Sequence, residues 1–433
     1  MVTALVENFG LNPTMAFVVV LLLAFAGLVA VFWFVQSAPP RTLVLSSGPP
    51  GSSFQRWAGL YEKLLAKDGV RLQVLPSKGS LENLQRLESA ASGVDIGFVQ
   101  GGLAADTDLR DLVSLGSVAY QPLWVFYRGS ARIGRLSELT GQRIAVGAVG
   151  SGTRSLALTL LKTNGITGLP TLFLDLDAEA AASGLLDGKL DAVFLMGDSA
   201  SLQTLRSLVR SPDIHLYAFS QADAYTRRFA YLDRIELPEG SIDLGTDLPA
   251  QDVVLVGPTV ELVARKGLHP ALSDLLIQAA QEVHGKPGLL QKRGEFPAAL
   301  EHEFPISDDA LRFYKSGKGF LSRTVHNFWL VSLLNRILVV FVPMLLVLIP
   351  TLRFLPVVYR WRIQLRLYRC YRPLLLLERD AAGTLTREQR QDLLRRLDEI
   401  EETVNRLRVP ASFADQFYGL RGHIAFVRER LTA

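Results

Sequence analysis

Arg143-Ile144-Ala145-Val146-Gly147-Ala148-Val149-Gly150-Ser151-Gly152-Thr153-Arg154 reads as a β-strand running into a glycine/serine loop and then into a helix that continues to Leu161. Glycine lets the backbone turn sharply and come close to a ligand. At the helix start the first N–H groups have no partner inside the helix and the dipole end is positive, which makes a ready anion site. The loop has neither the GK[ST] ending of a P-loop nor the G-x-G-x-x-G of a dinucleotide cradle. Its donors are amides, the hydroxyls of Ser151 and Thr153, and the guanidinium of Arg154, a set that suits a carboxylate. Arg154 either pairs such a carboxylate bidentately or forms a surface ion pair one turn into the helix.

The same grammar recurs on the N-terminal side. Ser46-Ser47-Gly48-Pro49-Pro50-Gly51-Ser52-Ser53 follows an expected strand, Thr42–Ser46, and precedes a helix around Trp57–Lys67. Ser77-Lys78-Gly79-Ser80-Leu81-Glu82-Asn83 follows a second strand, Val70–Pro76, and opens a helix through Arg86 and Ala90. Ser80 and Asn83 also have the spacing of an N-cap and a residue one turn in. Further strands are expected at Asp95–Gln100, Leu123–Arg128, Leu172–Asp175, Ala192–Met196, Ile214–Phe219 and Val253–Val256. Strands alternating with helical stretches predict α/β layers. Open α/β sheets bind ligands at the carboxyl ends of their strands, where all three loops fall, so the pattern points to small-molecule capture.

Two apolar segments bracket this region. Met15–Val35 carries no charge, and Val331–Leu352 is broken only by Asn335 and Arg336 at its near end. Each matches the about 20 residues that cross a bilayer. Arg353, Arg360, Arg362, Arg366, Arg369 and Arg372 follow the second segment with no acid before Glu378, and Tyr359, Trp361 and Tyr368 lie among them. Basic flanks stay cytoplasmic and aromatic residues mark the interface. The expected layout is a cytoplasmic N-terminal tail (1–14), transmembrane helices at 15–35 and 331–352, an outer domain at 41–300, a connector at 301–330, and a cytoplasmic segment at 353–433. A cleaved signal peptide is the rival for the first segment. It lacks a basic start and an A-x-A site, although Val35-Gln36-Ser37 could be cut.

The net charge of +4 over 433 residues sits largely in the juxtamembrane arginines. A nucleic-acid binder would carry a basic face on its globular part, so nucleic acid is excluded as a partner. The lone cysteine, Cys370, allows no disulfide framework or cysteine metal site within the chain. It reads as a structural thiol, with palmitoylation as the alternative. The histidines form no H-E-x-x-H pattern. Glu301-His302-Glu303 reads as a surface stretch, and Asp106, Asp108 and Asp111 lack the glycine and terminal glutamate of a calcium loop. Gly150-Ser151-Gly152 is not a nucleophile elbow. No catalytic constellation, metal site or cofactor is expected. Asp198, after Met196-Gly197, either meets a ligand ammonium or caps a helix at Ser199–Arg210. In the tail, Thr386-Arg387-Glu388-Gln389 predicts a capping box. Leu393, Leu397, Ile400, Val404 and Leu407 then form a short seam, to be buried by a second copy, by a partner protein, or by a hairpin with Phe413–Leu431.

The order of these segments resembles the TAXI-type solute-binding receptors of TRAP transporters. The resemblance rests on Leu45–Phe54, Gly79-Ser80-Leu81-Glu82-Asn83-Leu84, Val94–Gln100, Ile144–Arg154 and Asp187-Gly188-Lys189-Leu190-Asp191-Ala192-Val193-Phe194. Leu237-Pro238-Glu239-Gly240 and Leu262-Val263-Ala264-Arg265 continue it, so it covers about residues 41–300. The remainder, from Gly294-Glu295-Phe296-Pro297 to Tyr359-Arg360-Trp361-Arg362, resembles a membrane-anchored branch of that family. The resemblance implies a two-lobed, type II periplasmic-binding-protein-like α/β domain, here flanked by two transmembrane helices with a helical cytoplasmic tail. Lobe 1 would take about 41–125 and 225–300, and lobe 2 about 130–220. It implies a small organic anion, a dicarboxylate or an amino acid such as glutamate, delivered to separate TRAP membrane subunits at the inner (plasma) membrane. By matching position it implies Ser46, Gly48, Ser52, Ser53, Ser80, Asn83, Gln100, Ser151, Gly152 and Thr153 as cleft residues. The chain departs from the family at Phe54-Gln55-Arg56, where tyrosines are usual. A ligand sensor or assembly protein, with the tail contacting a partner, is the alternative function.

Overall fold

The computed structural model describes residues 13–104, 108–129, 132–300, 302–317, 319, 324–325, 327–383, 386–407, 409 and 413–432. The expected N-terminal tail falls mostly outside them, as do Asp106, Glu301 and His326. The chain divides into two compact units: residues 39–333, and the segments on either side of them.

Among the described residues, 39–333 hold eleven strands and eight complete α-helices. In chain order they begin β1 (Thr42–Ser46), α2 (Ser53–Lys67), β2 (Arg71–Leu75), α3 (Ser80–Glu88), β3 (Ile96–Gln100), β4 (Leu112–Tyr120) and β5 (Trp124–Arg128); α1 precedes them at Pro13–Gln36. They continue β6 (Arg143–Ala145), α4 (Gly152–Thr163), β7 (Leu172–Leu174), α5 (Ala178–Leu186), β8 (Ala192–Leu195), α6 (Leu202–Val209) and β9 (Ile214–Leu216). Then come α7 (Ala222–Arg228), β10 (Leu232–Leu237), β11 (Val253–Arg265), α8 (Pro270–His284) and α9 (Asp308–Ser316).

The strands build two sheets, ordered β10-β11-β3-β1-β2, with β4 also on β11, and β7-β6-β8-β5-β9. One plan serves both. A first strand (β1 or β6) pairs in parallel with the two that follow it, and the third strand takes an antiparallel neighbour from elsewhere in the chain, β11 or β5. The central parallel strands, flanked on both sides within their sheets, must be apolar to be buried, whereas the outer strand β2 exposes Arg71 and Gln73. Every residue of β3 and of β8 is accordingly buried. Helix α2 buries Phe54, Ala58, Tyr61 and Leu65, one stripe at helical spacing.

Two crossings join the lobes. One is Gln121-Pro122-Leu123, between β4 and β5; the other is β11, whose first half packs in the second lobe while its second half pairs with β3 and β4. The Gln121 amide donates to the Pro258 carbonyl (2.8 Å) and the Leu123 amide to that of Val256 (2.9 Å), so the crossings lie side by side. A Cβ at Gly257 would collide with the Gln121 carbonyl. Only glycine lets the two crossings approach this closely.

The strands expected from the sequence are present, several one to three residues shorter. The main differences are β4 and β10, not expected at all, and β11, which runs to Arg265 rather than ending at Val256. The expected connector is partly ordered, with α9 capped by Ser307 and inserting Ala310 and Phe313 into the core of the first lobe.

Outside the two lobes, α1 and the long helix α10 (Phe328–Asp380) carry the apolar segments. Among the described residues one helical stretch, Phe328–Val347, with mean hydropathy 2.4, is long and apolar enough to cross a membrane. Within α1 the apolar run that is described is Gly27–Gln36, shorter than a bilayer needs; the other side chains of the expected first span lie largely outside the described residues. Arg336 lies over the Phe34 ring at 4.9 Å and donates to the Phe34 carbonyl (3.3 Å), tying one end of each apolar helix to the other. At the start of α10, the Trp329 indole donates to the Asp68 carbonyl (2.9 Å) beneath the Arg41 guanidinium. The tail adds α11 (Arg387–Asn405), opened by the expected Thr386/Gln389 capping box, and α12 (Ala414–Thr432).

Candidate functional site

The three glycine/serine loops leave the carboxyl ends of β1, β2 and β6 and meet at Asp198, the second and third at its carboxylate and the first at its backbone. Asp198, in the turn after β8, is fully buried. Its Oδ2 accepts the Gly152 amide at 2.7 Å and lies 3.5 Å from the Ser80 amide; its Oδ1 accepts the hydroxyls of Thr153 (2.8 Å) and Ser199 (2.9 Å). Gly152 and Ser80 begin α4 and α3, so the first turns of two helices in opposite lobes face a single carboxylate. That is where unpartnered N–H groups and the positive dipole ends are found. Gly79 (φ 130°) permits the approach from the first lobe, since a Cβ there would stand 2.5 Å from Asp198 Oδ2.

Burial pushes the Asp198 carboxyl above its usual range, and the hydrogen bonds from Thr153, Gly152, Ser199 and Ser80 pull it back. Among the described residues no Lys, Arg or His forms an ion pair with it. Its charge is met by amides and hydroxyls alone, the way a binding cleft meets a small anion. Asp198 does not cap the helix that follows. Helix α6 starts at Leu202, and Ser201 accepts from Thr204 N as its cap.

The lobes touch along the same line. The Ser53 amide donates to Gly197 O (2.9 Å), the Glu82 amide to Gly150 O (3.0 Å), and Gln100 Nε2 to Gly152 O (3.1 Å). Ser52 and Ser201 form a short antiparallel bridge. With its carboxamide oxygen turned toward the loop, Gln121 accepts the Gly197 amide (3.0 Å).

The residues singled out in the sequence fall into four groups. Ser80, Gly152 and Thr153 contact the Asp198 carboxylate. Gly48 packs on the Asp198 carbonyl, while Ser52, Ser53 and Gln100 bridge the lobes beside it. Ser46, Asn83 and Ser151 hold the loops in shape. Ser46 donates to Asn83 Oδ1 (2.6 Å), Asn83 Nδ2 donates to the carbonyls of Ser47 and Phe98, and Ser151 caps α4 by accepting the Arg154 amide. Arg154 turns outward into a two-pronged pair with Asp175, at 2.8 and 3.2 Å, the surface role among its two readings. Ser199 and Gln121 are the additions. Gly197-Asp198-Ser199 is itself a strand-end glycine/serine turn, the signal that would have pointed to Ser199.

Two lobes of one strand plan, joined by two crossings, with glycine loops facing one another over the junction, define a periplasmic-binding-protein-like domain. The chain belongs to the NMT1-like family, which matches residues 54–279. Among solved structures it is similar to the periplasmic aliphatic sulphonate binding protein SsuA from Escherichia coli, with 15% identity over 57% of this chain and 73% of that one and a TM-score of 0.34. It is also similar to PhnD1 from Prochlorococcus marinus in complex with methylphosphonate, with 11% identity over 56% and 89% and a TM-score of 0.38.

Proposed function

We propose that the chain is a membrane-tethered solute receptor whose outer domain closes on a small organic anion and presents it to a TRAP-type secondary transporter. The observation that carries this reading is the convergence of amides and hydroxyls from both lobes on one carboxylate, that of Asp198. A site that holds an aspartate side chain this way has the donors to hold a dicarboxylate or an amino acid such as glutamate. Closure is then a population shift, driven by tighter binding of the solute to the shut state. The arginines that follow the apolar segment of α10 support a cytoplasmic tail and an outward-facing receptor domain.

Isothermal titration of the full chain in lipid nanodiscs with succinate, glutamate and related organic acids tests the reading. Saturable heat with at least one acid is expected. A folded chain that takes up none of them would falsify it.

A further inference from the structure

We infer that Asp198 is a tethered carboxylate that fills the anion subsite of the cleft and holds the two lobes shut in place of a solute. Its carboxylate does not cap the helix that follows, which Ser201 caps. All of its hydrogen bonds go to groups that a free anion would use: the Gly152 amide, the Thr153 and Ser199 hydroxyls, and the Ser80 amide across the junction.

A second observation is independent of the carboxylate. Gln100 is buried, packs on Gly152 and donates to its carbonyl, yet among the described residues its Oε1 has no hydrogen-bond partner. The shut state filled by Asp198 therefore leaves one acceptor unmet beside the clamp. An aspartate cannot supply the missing donor; a solute with a hydroxyl or ammonium next to its carboxylate can. On the receptor reading, which this step rests on, the missing donor is what lets a free hydroxy or amino acid displace a competitor that is covalently at hand.

The test uses the full chain in nanodiscs, with acetate as the probe. Wild-type chain is expected to melt at the same temperature in sodium acetate and in sodium chloride of equal ionic strength. Asp198→Ala is expected to melt lower in chloride, by about 2–4 °C for each kcal/mol lost, and to recover most of that loss saturably as acetate replaces chloride. A variant that melts alike in both salts overturns the proposal. Should Asp198→Ala not fold, Asp198→Asn read by hydrogen exchange takes its place. Amides at Ser80 in one lobe and Gly152 in the other should both exchange faster, by about tenfold for each 1.4 kcal/mol of lost protection. Faster exchange at Gly152 alone would mean that Asp198 only braces its own lobe, and the proposal falls. The receptor reading is judged apart from this: acid binding by wild type with no acetate rescue sinks the tether alone, and rescue without wild-type binding sinks the receptor alone.

Discussion

Glu261 sits fully buried in the middle of β11, paired with Val99 on one side and Ser117 on the other. Desolvation lifts its carboxyl from the ordinary 4.5 to about 7; the Ser114 hydroxyl opposes the rise and Glu303 adds to it. The folded chain thus holds this proton more tightly than the unfolded one. Its favourable contribution is complete below pH 4.5 and is lost as pH rises through 7. Glu261→Gln should therefore be more stable than wild type at pH 8, by about 3 kcal/mol at one pKa unit per 1.36 kcal/mol, and close to it at pH 4. Urea titrations at the two pH values measure this, and an equal gap at both would refute it. Asp198 and Glu261 share a difficulty for sequence reading. A strand-end or mid-strand acid looks ordinary until residues far along the chain bury it.

The helices of the tail show how an element's partner escapes local pattern. Leu393, Leu397 and Val404 of α11 are buried, but against Leu420, Ile424, Val427 and Leu431 of α12 and Ile363, Leu367, Leu374 and Leu377 of α10. The seam legible in the sequence thus closes as a hairpin on α10 rather than waiting for a second copy. Cys370 lies in the same core, buried as a structural thiol. Leu397→Ala, at a site with no exposure, should cost about 2–5 kcal/mol of this bundle's stability. Limited proteolysis should then cut the α11–α12 region faster while residues 39–333, with cores of their own, keep their wild-type rate. Equal acceleration in both regions would show the two units to be coupled. Strand β4 escaped notice for another reason: Ser114, Gly116 and Ser117 interrupt its apolar residues, and it is a strand because β11 pairs along it, with bridges from Ile306 to Ser114 and from Ala298 to Ser117.

For the molecule entire, the proposed function requires residues 39–333 to lie outside the cell membrane. Cys370 is the sole cysteine, so a Cys370→Ala background accepts single reporters at exposed positions. Ser137→Cys in the second lobe should react with an impermeant maleimide on intact cells; Gln391→Cys on α11 should react only after lysis. The reverse pattern would place the clamp in the cytosol and remove any role in capturing external solutes. Strand–loop–helix order, the three glycine/serine loops at strand ends and the apolar stretch of α10 were all readable in the chain. Each follows from backbone geometry, helix-end amides or hydrophobic run length, which are properties of neighbours in sequence. Which carboxylate those loops hold was not readable, because Asp198 lies 46 residues from Gly152 and 118 from Ser80. The pairing of β6 with β8 sets Gly152 beside Asp198 within one lobe, and the crossings at β11 and Gln121-Pro122-Leu123 bring Ser80 of the other lobe to them.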